Sequence, residues 1–406
     1  MATTASRVIE QAADKYAIRP FHVNVPEAQL AELRNRIKET RWPDQETVTD
    51  QSQGVQLATI QALARFWARD YDWRKVEARL NALPNFVTEI DGLDIHFIHV
   101  RSKHENALPM IVTHGWPGSV VEQLKIIEPL TNPTEHGGKA TDAFDVVIPS
   151  MPGYGYSAKP TAPGWGPDRI ARAWDVLMKR LGYTRYVAQG GDWGAVIVDL
   201  MGVQAPSGLL GIHTNMPGIF PAEIDGAAFA GKPAPEGLSA DEKTAYDRLQ
   251  FVYQKGIAYG FQMSLRPQTL YGVADSPVGL AAYFLDHDAR SYALISRVFQ
   301  GQAEGLTRDD ILDNITITWL TNTFVSGARL YWEYWGKGYF NAKGVQIPVA
   351  VSVFPDELYP APRSWAEQAY PKLIHFNKLP KGGHFAAWEQ PKLFSEEVRA
   401  GFRSLR

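Results

Sequence analysis

The chain has 406 residues, 45% hydrophobic and 12% aromatic, with a formal net charge of −3. That length exceeds a single core of about 100–250 residues, so a main domain with a substantial insertion or appendage is expected. The near-neutral charge argues against a nucleic-acid footprint or a polybasic membrane surface, and the absence of cysteine excludes disulfides, thiolate metal sites and a cysteine nucleophile.

Met1 to Pro20 carries Arg7, Glu10, Asp14 and Lys15 at intervals that leave no apolar signal region, and no uninterrupted apolar run approaches the roughly 20 residues needed to cross a bilayer. A soluble cytoplasmic protein is therefore expected. Phe21–Val25 reads as a short extended segment, after which Pro26-Glu27 opens a helix with Leu30, Leu33 and Ile37 on one face. Amphipathic helices are also predicted over 55–68 and 73–83, which makes residues 1–85 a helical N-terminal section.

Asp91-Gly92 between the alternating runs 85–90 and 93–100 is a strong hairpin signal. Strand-like runs follow at 108–113, 144–149, 186–189 and 210–214, mostly separated by helical patterns. Such alternation implies βαβ units and a mostly parallel sheet over 86–217. From 218 to 340 the pattern is helical and rich in tyrosine and tryptophan, broken by a polar loop at 232–243. Sheet-like runs resume at 346–354 and 373–377, and a last helix is predicted over 390–405, so 341–406 completes the core. A helical insertion in an open sheet of this kind lies over the carboxyl ends of the strands as a lid.

The residues that carry chemistry sit after predicted strands. Gly190-Gly-Asp192-Trp-Gly194 has the form of a sharp strand-to-helix turn with a nucleophile at its apex, and the reactive group here is a carboxylate. His114-Gly-Trp-Pro-Gly-Ser119 follows an earlier strand, where a loop supplies one oxyanion-hole N–H; the residue after the nucleophile supplies the other, which makes Trp116 and Trp193 the backbone donors. The same tight turn makes Trp116–Pro117 a candidate cis bond. His384, in a glycine loop after the last strand, is where the base of a nucleophile-acid-base triad comes in this chain order. Asp356 and Glu357 compete for the carboxylate that orients it, and neighbouring side chains diverge, so only one can serve. Asp286-His287-Asp288 looks like a metal cluster, but adjacent ligands rarely converge on one ion, and it reads as a solvated helix end. His96, His99 and His213 lie in strand-like runs with no evident partner and read as structural.

Together these motifs resemble the epoxide hydrolase family, in its microsomal and juvenile-hormone branch. The resemblance spans nearly the whole chain. It is carried by Arg19-Pro-Phe with Val25, Pro26, Leu33 and Thr40-Arg-Trp42, by His114-Gly-Trp-Pro117, by Gly190-Gly-Asp-Trp-Gly194, by Asp275-Ser-Pro-Val-Gly-Leu-Ala-Ala-Tyr283 and by Gly382-Gly-His-Phe-Ala-Ala387. It implies an α/β-hydrolase fold with a helical lid and an N-terminal helical extension, Asp192 as nucleophile, His384 as base and Glu357 as acid, with Asp356 at the variable position of the motif. Two lid tyrosines are implied as acids on the epoxide oxygen. They match Tyr259 and Tyr331 more loosely, because Tyr253, Tyr334 and Tyr339 lie nearby.

The implied reaction converts an apolar epoxide to a vicinal diol through an alkyl ester on Asp192 that His384-activated water hydrolyses, with no cofactor and no metal. The implied partners are the epoxide and water, with a homodimer allowed for, no nucleic acid, and no counterpart of the anchor found in membrane-bound members. A haloalkane dehalogenase shares the aspartate elbow but offers Trp or Asn donors to a halide. A non-catalytic binder of hydrophobic ligands on the same fold is the other alternative.

Overall fold

The computed structural model describes residues 16–302 and 305–406. Arg7, Glu10, Asp14 and Lys15, on which the reading of the N-terminus rests, lie outside them. Among the described residues, strands β1 (Arg19–Pro20), β2 (Asn85–Ile90), β3 (Leu93–Val100), β4 (Leu108–Thr113), β5 (Phe144–Pro149), β6 (Tyr186–Gly190), β7 (Leu209–Thr214), β8 (Val349–Val353) and β9 (Leu373–Lys378) form one sheet. Its order is β1-β2-β3-β5-β4-β6-β7-β8-β9. The β1–β2, β2–β3 and β3–β5 pairings are antiparallel, and the pairings from β5 through β9 are parallel. Every residue of β6 and β8 is buried, as expected of parallel strands covered on both faces. At the β2–β3 turn, Asp91 and Gly92 both take positive φ, the requirement of a tight hairpin.

The chain order reverses around β4, which lies between β5 and β6, and such a reversal opens a crevice at the carboxyl ends of the strands. Thr113 and Gly190, the last residues of β4 and β6, are register partners. The loop that begins at His114 and the turn that holds Asp192 therefore leave the sheet side by side. The turn is tight enough that a Cβ on Gly190 would strike the backbone of Gly194, and one on Gly194 would strike the Thr113 carbonyl. Asp192 itself sits at φ 52°, ψ −125°, a strained conformation held by this packing.

The segment between β7 and β8 is helical and leaves and rejoins the core at one place, since Phe220 and Asn341 form a bridge. Helix Ala240–Phe251 starts inside the predicted polar loop because Ser239 and Glu242 form a capping box. A π-helical turn at Val252–Gly256 then leads into helix Ala258–Leu265, which carries Tyr259.

The N-terminal section forms helices Glu27–Lys38, Leu57–Arg69 and Trp73–Asn81, with Leu30, Leu33 and Ile37 buried on one face. Phe21–Val25 is not a strand. Its backbone is satisfied by helix side chains instead: the Asn81 amide bonds both N and O of Val23 at 2.8 Å, and Glu77 accepts from Val25 N at 2.7 Å. No helix among the described residues is long and apolar enough to cross a membrane.

This section packs on the helical insertion. Tyr71 Oη donates to Asp313 at 2.7 Å, and Arg79 pairs with the other Asp313 oxygen at 2.5 Å. The next residue, Asn314, faces the core: its Nδ2 donates to Pro117 O at 2.8 Å and its Oδ1 accepts from Ser119 Oγ at 2.8 Å. Truncation would strand two buried groups, each worth about 1–3 kcal/mol. Asn314→Ala is therefore expected to lower the urea midpoint by a corresponding amount, and an unchanged midpoint would show the two bonds to be dispensable.

Candidate active site

Asp192 is buried at the apex of the turn and its two oxygens have different surroundings. Oδ1 accepts from the Trp116 N–H at 2.7 Å. Oδ2 accepts from the Tyr339 hydroxyl at 3.2 Å and lies 3.4 Å from His384 Nε2. Burial opposes the charge, but the His384 imidazole, His287 and the Trp116 amide together hold the carboxyl below the usual carboxylate range. The Trp193 N–H, the second donor expected from sequence, makes no hydrogen bond to this carboxylate among the described residues. The Trp116–Pro117 bond is cis. Gly115 allows the loop its approach, since a Cβ there would overlap the Asp192 side chain.

His384 and the carboxylate of Glu357 are brought together by backbone. Asp356 and Gly383 form a bridge, with Asp356 N donating to Gly382 O at 3.0 Å, and one residue further on Glu357 and His384 face each other. Glu357 Oε1 is 2.6 Å from His384 Nδ1, and both side chains are buried. Asp356 points outward to Arg290 at 2.9 Å. Burial alone would lower the His384 pKa, but Glu357 and Asp192 raise it well above the ordinary imidazole value. Glu389 braces the loop: its oxygens accept from Gly383 N and Phe385 N, each at 3.0 Å, on either side of His384.

Tyr259 and Tyr331 are buried and line, with Asp192, a cavity of about 690 Å³ whose walls include Phe261, Trp335 and Tyr339. Tyr259 stacks on Trp116 with ring centroids 4.8 Å apart, and Tyr331 meets Trp193 edge-on at 4.8 Å. Burial and the Asp192 charge raise the phenol pKa of Tyr259, Tyr331 and Tyr339, so all three remain neutral donors. The Tyr253 hydroxyl is committed elsewhere, to Asp225 at 2.6 Å. On the other side of Asp192 and His384 is a small cavity of about 30 Å³, lined also by Glu122, Gln123 and Gln189. Burial pushes Glu122 up to about 8, which keeps it protonated at neutral pH.

Asp286-His287-Asp288 is not a solvated helix end. Asp288 does cap helix Ala289–Phe299, with Oδ1 accepting from Arg290 N and Ser291 N, but His287 and Asp288 are both buried. The His287 ring lies 4.3 Å from that of His384, and its Nε2 is 4.0 Å from Asp192 Oδ2. Sequence reasoning weighed this triplet as metal ligands or as a solvated helix end, and not as part of the site around Asp192. The available signal was the capping position of Asp288, but the direction in which that helix points is set by tertiary packing. Asp192, His287 and His384 place one ligand atom each within 4.8 Å of one another. The Oδ2–Nε2 contact to His384 is that of a proton-sharing pair, and we assign no metal there. The three strand histidines do have partners: His96 bonds Ser150 and Asn85, His99 bonds Tyr183 and His213 bonds Ser352.

A model of the epoxide hydrolase N terminus matches residues 18–123, and one of the alpha/beta hydrolase fold matches residues 109–251. The chain is 50% identical over 397 residues to a putative epoxide hydrolase of Stigmatella aurantiaca, covering 96% of this chain and 86% of that one. It is 32% identical over 407 residues to epoxide hydrolase 1 of Sus scrofa, covering 96% and 89%. Among solved structures, juvenile hormone epoxide hydrolase from the silkworm Bombyx mori matches with a TM-score of 0.84 at 30% identity over 96% of each chain. Aspergillus niger epoxide hydrolase matches at 0.80 and 30% over 97% of each.

The geometry separates the two candidate carboxylates by experiment. Glu357→Gln removes a charge that raises His384, so the ring is expected to titrate at lower pH than in the native protein when followed by imidazole NMR. Asp356→Asn is expected to leave that titration in place; a shift of equal size would reverse the assignment.

Proposed function

This chain belongs to the epoxide hydrolase family, and from that premise we propose how its residues turn an epoxide into a vicinal diol. The observation that carries the reading is the setting of the Asp192 carboxylate: one oxygen is held by a backbone N–H, and the other faces both a cavity lined by tyrosines and the Nε2 of a carboxylate-backed histidine. Oδ2 attacks an epoxide carbon and forms an ester, while Tyr259 and Tyr331 donate to the ring oxygen as it becomes an alkoxide. A phenol suits this task because, with an ordinary pKa of about 10, it is protonated at neutral pH yet acidic enough to protonate an alkoxide.

Ester formation changes the electrostatics of the site. It neutralises Asp192, one of the two groups that hold His384 protonated, so the pKa of the imidazole falls and more of it is in the neutral form that can accept a proton from water. His384, oriented by Glu357, then activates a water on the ester carbon. The small cavity beside it has about the volume of one water molecule, and its polar lining of Glu122, Gln123 and Gln189 supplies partners. The oxyanion that develops at Oδ1 is held by the Trp116 N–H, with Trp193 N–H as the second donor once the centre becomes tetrahedral; one such donor is typically worth about 3 kcal/mol. The substrate side is a large aromatic cavity, which suits an apolar epoxide of drug-like size.

Because water attacks the enzyme's own carboxyl carbon, a single turnover in heavy-oxygen water is expected to label Asp192 and leave the first diol unlabelled. Label found directly in that diol would indicate direct hydration. The pH dependence should also split between the two steps. Asp192 is held ionised to low pH, whereas His384 must be neutral to activate water and Glu357 still raises its pKa in the ester, so the ester should accumulate as pH falls through the His384 titration, which lies above the ordinary imidazole range. Intact mass of quenched samples measures this, and an adduct fraction independent of pH would contradict the assigned base.

A further inference from the structure

On the covalent reading above, each turnover must place two protons, and the groups named so far carry one of them. In the first half a lid phenol gives its proton to the epoxide oxygen and becomes a phenolate. In the second, water gives one proton to His384 Nε2 as its oxygen bonds to the Asp192 carboxyl carbon. The bond from that carbon to the ester oxygen then breaks, and the departing diol takes the proton back from His384. The other water proton, on the oxygen newly bonded to the Asp192 carbon, has no acceptor among these groups, and the phenolate is still short of one.

A second imidazole stands between these two places. His287 Nε2 is 4.0 Å from Asp192 Oδ2, is buried, and has no hydrogen-bond partner among the described residues. The His287 ring is tilted over that of Tyr259 at 5.3 Å, whereas His384 makes no ring contact with Tyr259 among the described residues. Nδ1 lies 3.0 Å from Asp288 Oδ2, and the carboxylate is fixed through its other oxygen by the N–H groups of Arg290 and Ser291 at 3.0 and 2.8 Å. A carboxylate only accepts, so Nδ1 is the donor and a neutral ring presents the Nε2 lone pair to Asp192. The pair repeats the arrangement of His384 and Glu357 beside the same oxygen, the two imidazole rings lying 4.3 Å apart. A buried nitrogen without a partner is costly, and a packing role alone would be met better by an apolar ring.

We propose that His287, backed by Asp288, is a second proton-handling catalytic residue, taking the remaining water proton from the new oxygen on the Asp192 carbon as the bond to the ester oxygen breaks and passing it to the lid phenolate. Protons balance: the water is consumed, the diol keeps one proton on each new hydroxyl, and Asp192, the phenol and both imidazoles return to their starting states.

The test separates the two half-reactions by rapid-quench intact mass with styrene oxide as the probe, using native enzyme and His287→Phe, Asp288→Asn and His384→Gln variants. His287→Phe is expected to alkylate at a rate within about twofold of native and to hydrolyse the ester at least about a hundredfold more slowly, the low end for a lost acid-base group, while keeping or raising its thermal midpoint. Asp288→Asn, which preserves the helix cap, should slow hydrolysis in the same direction and serves should the phenylalanine variant fail to fold. Native hydrolysis rates in folded His287→Phe, or in folded Asp288→Asn if the phenylalanine variant does not fold, would overturn the proposal, as would an equal loss of both half-reactions. If His384→Gln accumulates no adduct, the covalent reading beneath it fails instead.

Discussion

A buried carboxylate that must stay charged is the constraint on which the site is built. Asp192 is 7% exposed, and burial by itself would favour its neutral form. The charge persists because a backbone amide, a phenol and an imidazole reach it at 2.7, 3.2 and 3.4 Å. The influence runs in the other direction too: the same charge raises His384 and the surrounding phenols. In the proposed reaction, ester formation removes that charge and so lowers the pKa of His384 and of these phenols together. No large movement is required, since the groups are already within reach.

The positioning of these groups comes from main-chain hydrogen bonds. The paired strand ends at Thr113 and Gly190 bring the His114 loop against the elbow, and the bridge between Asp356 and Gly383 sets Glu357 opposite His384. Glu389 then fixes the amides on both sides of His384. Side chains on loops are precise here because the elbow and the His114 loop leave paired strand ends, and the Glu357 and His384 loops are bridged to each other one residue from the functional position. Asp356, at the bridge itself, is directed to solvent and Arg290, which is why two adjacent acids have such different surroundings.

Where a function is fixed by local backbone, the sequence was readable. The glycines around Asp192 and before His384, and the order in which these motifs follow predicted strands, located the elbow and the histidine loop. Where a role depends on how helices pack, it was not. Choosing among five lid tyrosines needs the orientation of helices Ala258–Leu265 and Phe324–Tyr334, and Tyr339, offered only as a neighbour, is the one that donates to Asp192. His287 was set aside by a sound rule about adjacent metal ligands. That rule says nothing of a histidine and the following aspartate bonding to each other, and the direction of the helix that Asp288 caps is not written in the local sequence. Phe21–Val25 was read only as an extended segment, and what satisfies its backbone was not legible because the partners, Asn81 and Glu77, lie more than 50 residues away.

The N-terminal helices, which supply none of the named catalytic groups, are nevertheless joined to the site through helix Arg308–Thr321. Consecutive residues on a helix point about 100° apart, so Asp313 faces outward to Tyr71 and Arg79 while Asn314 faces inward to Pro117 and Ser119. The loop so held is the one whose Trp116 amide bonds Asp192. A hydrogen-bonded path thus runs from the N-terminal section, through one turn of a lid helix, to the backbone donor that holds the Asp192 carboxylate. Arg36 with Asp275, and Tyr292 with the Gln56 amide, tie two further lid helices to the same section. On this view the N-terminal section acts as an outer brace, holding the lid in register with the elbow and so fixing the phenols relative to Asp192.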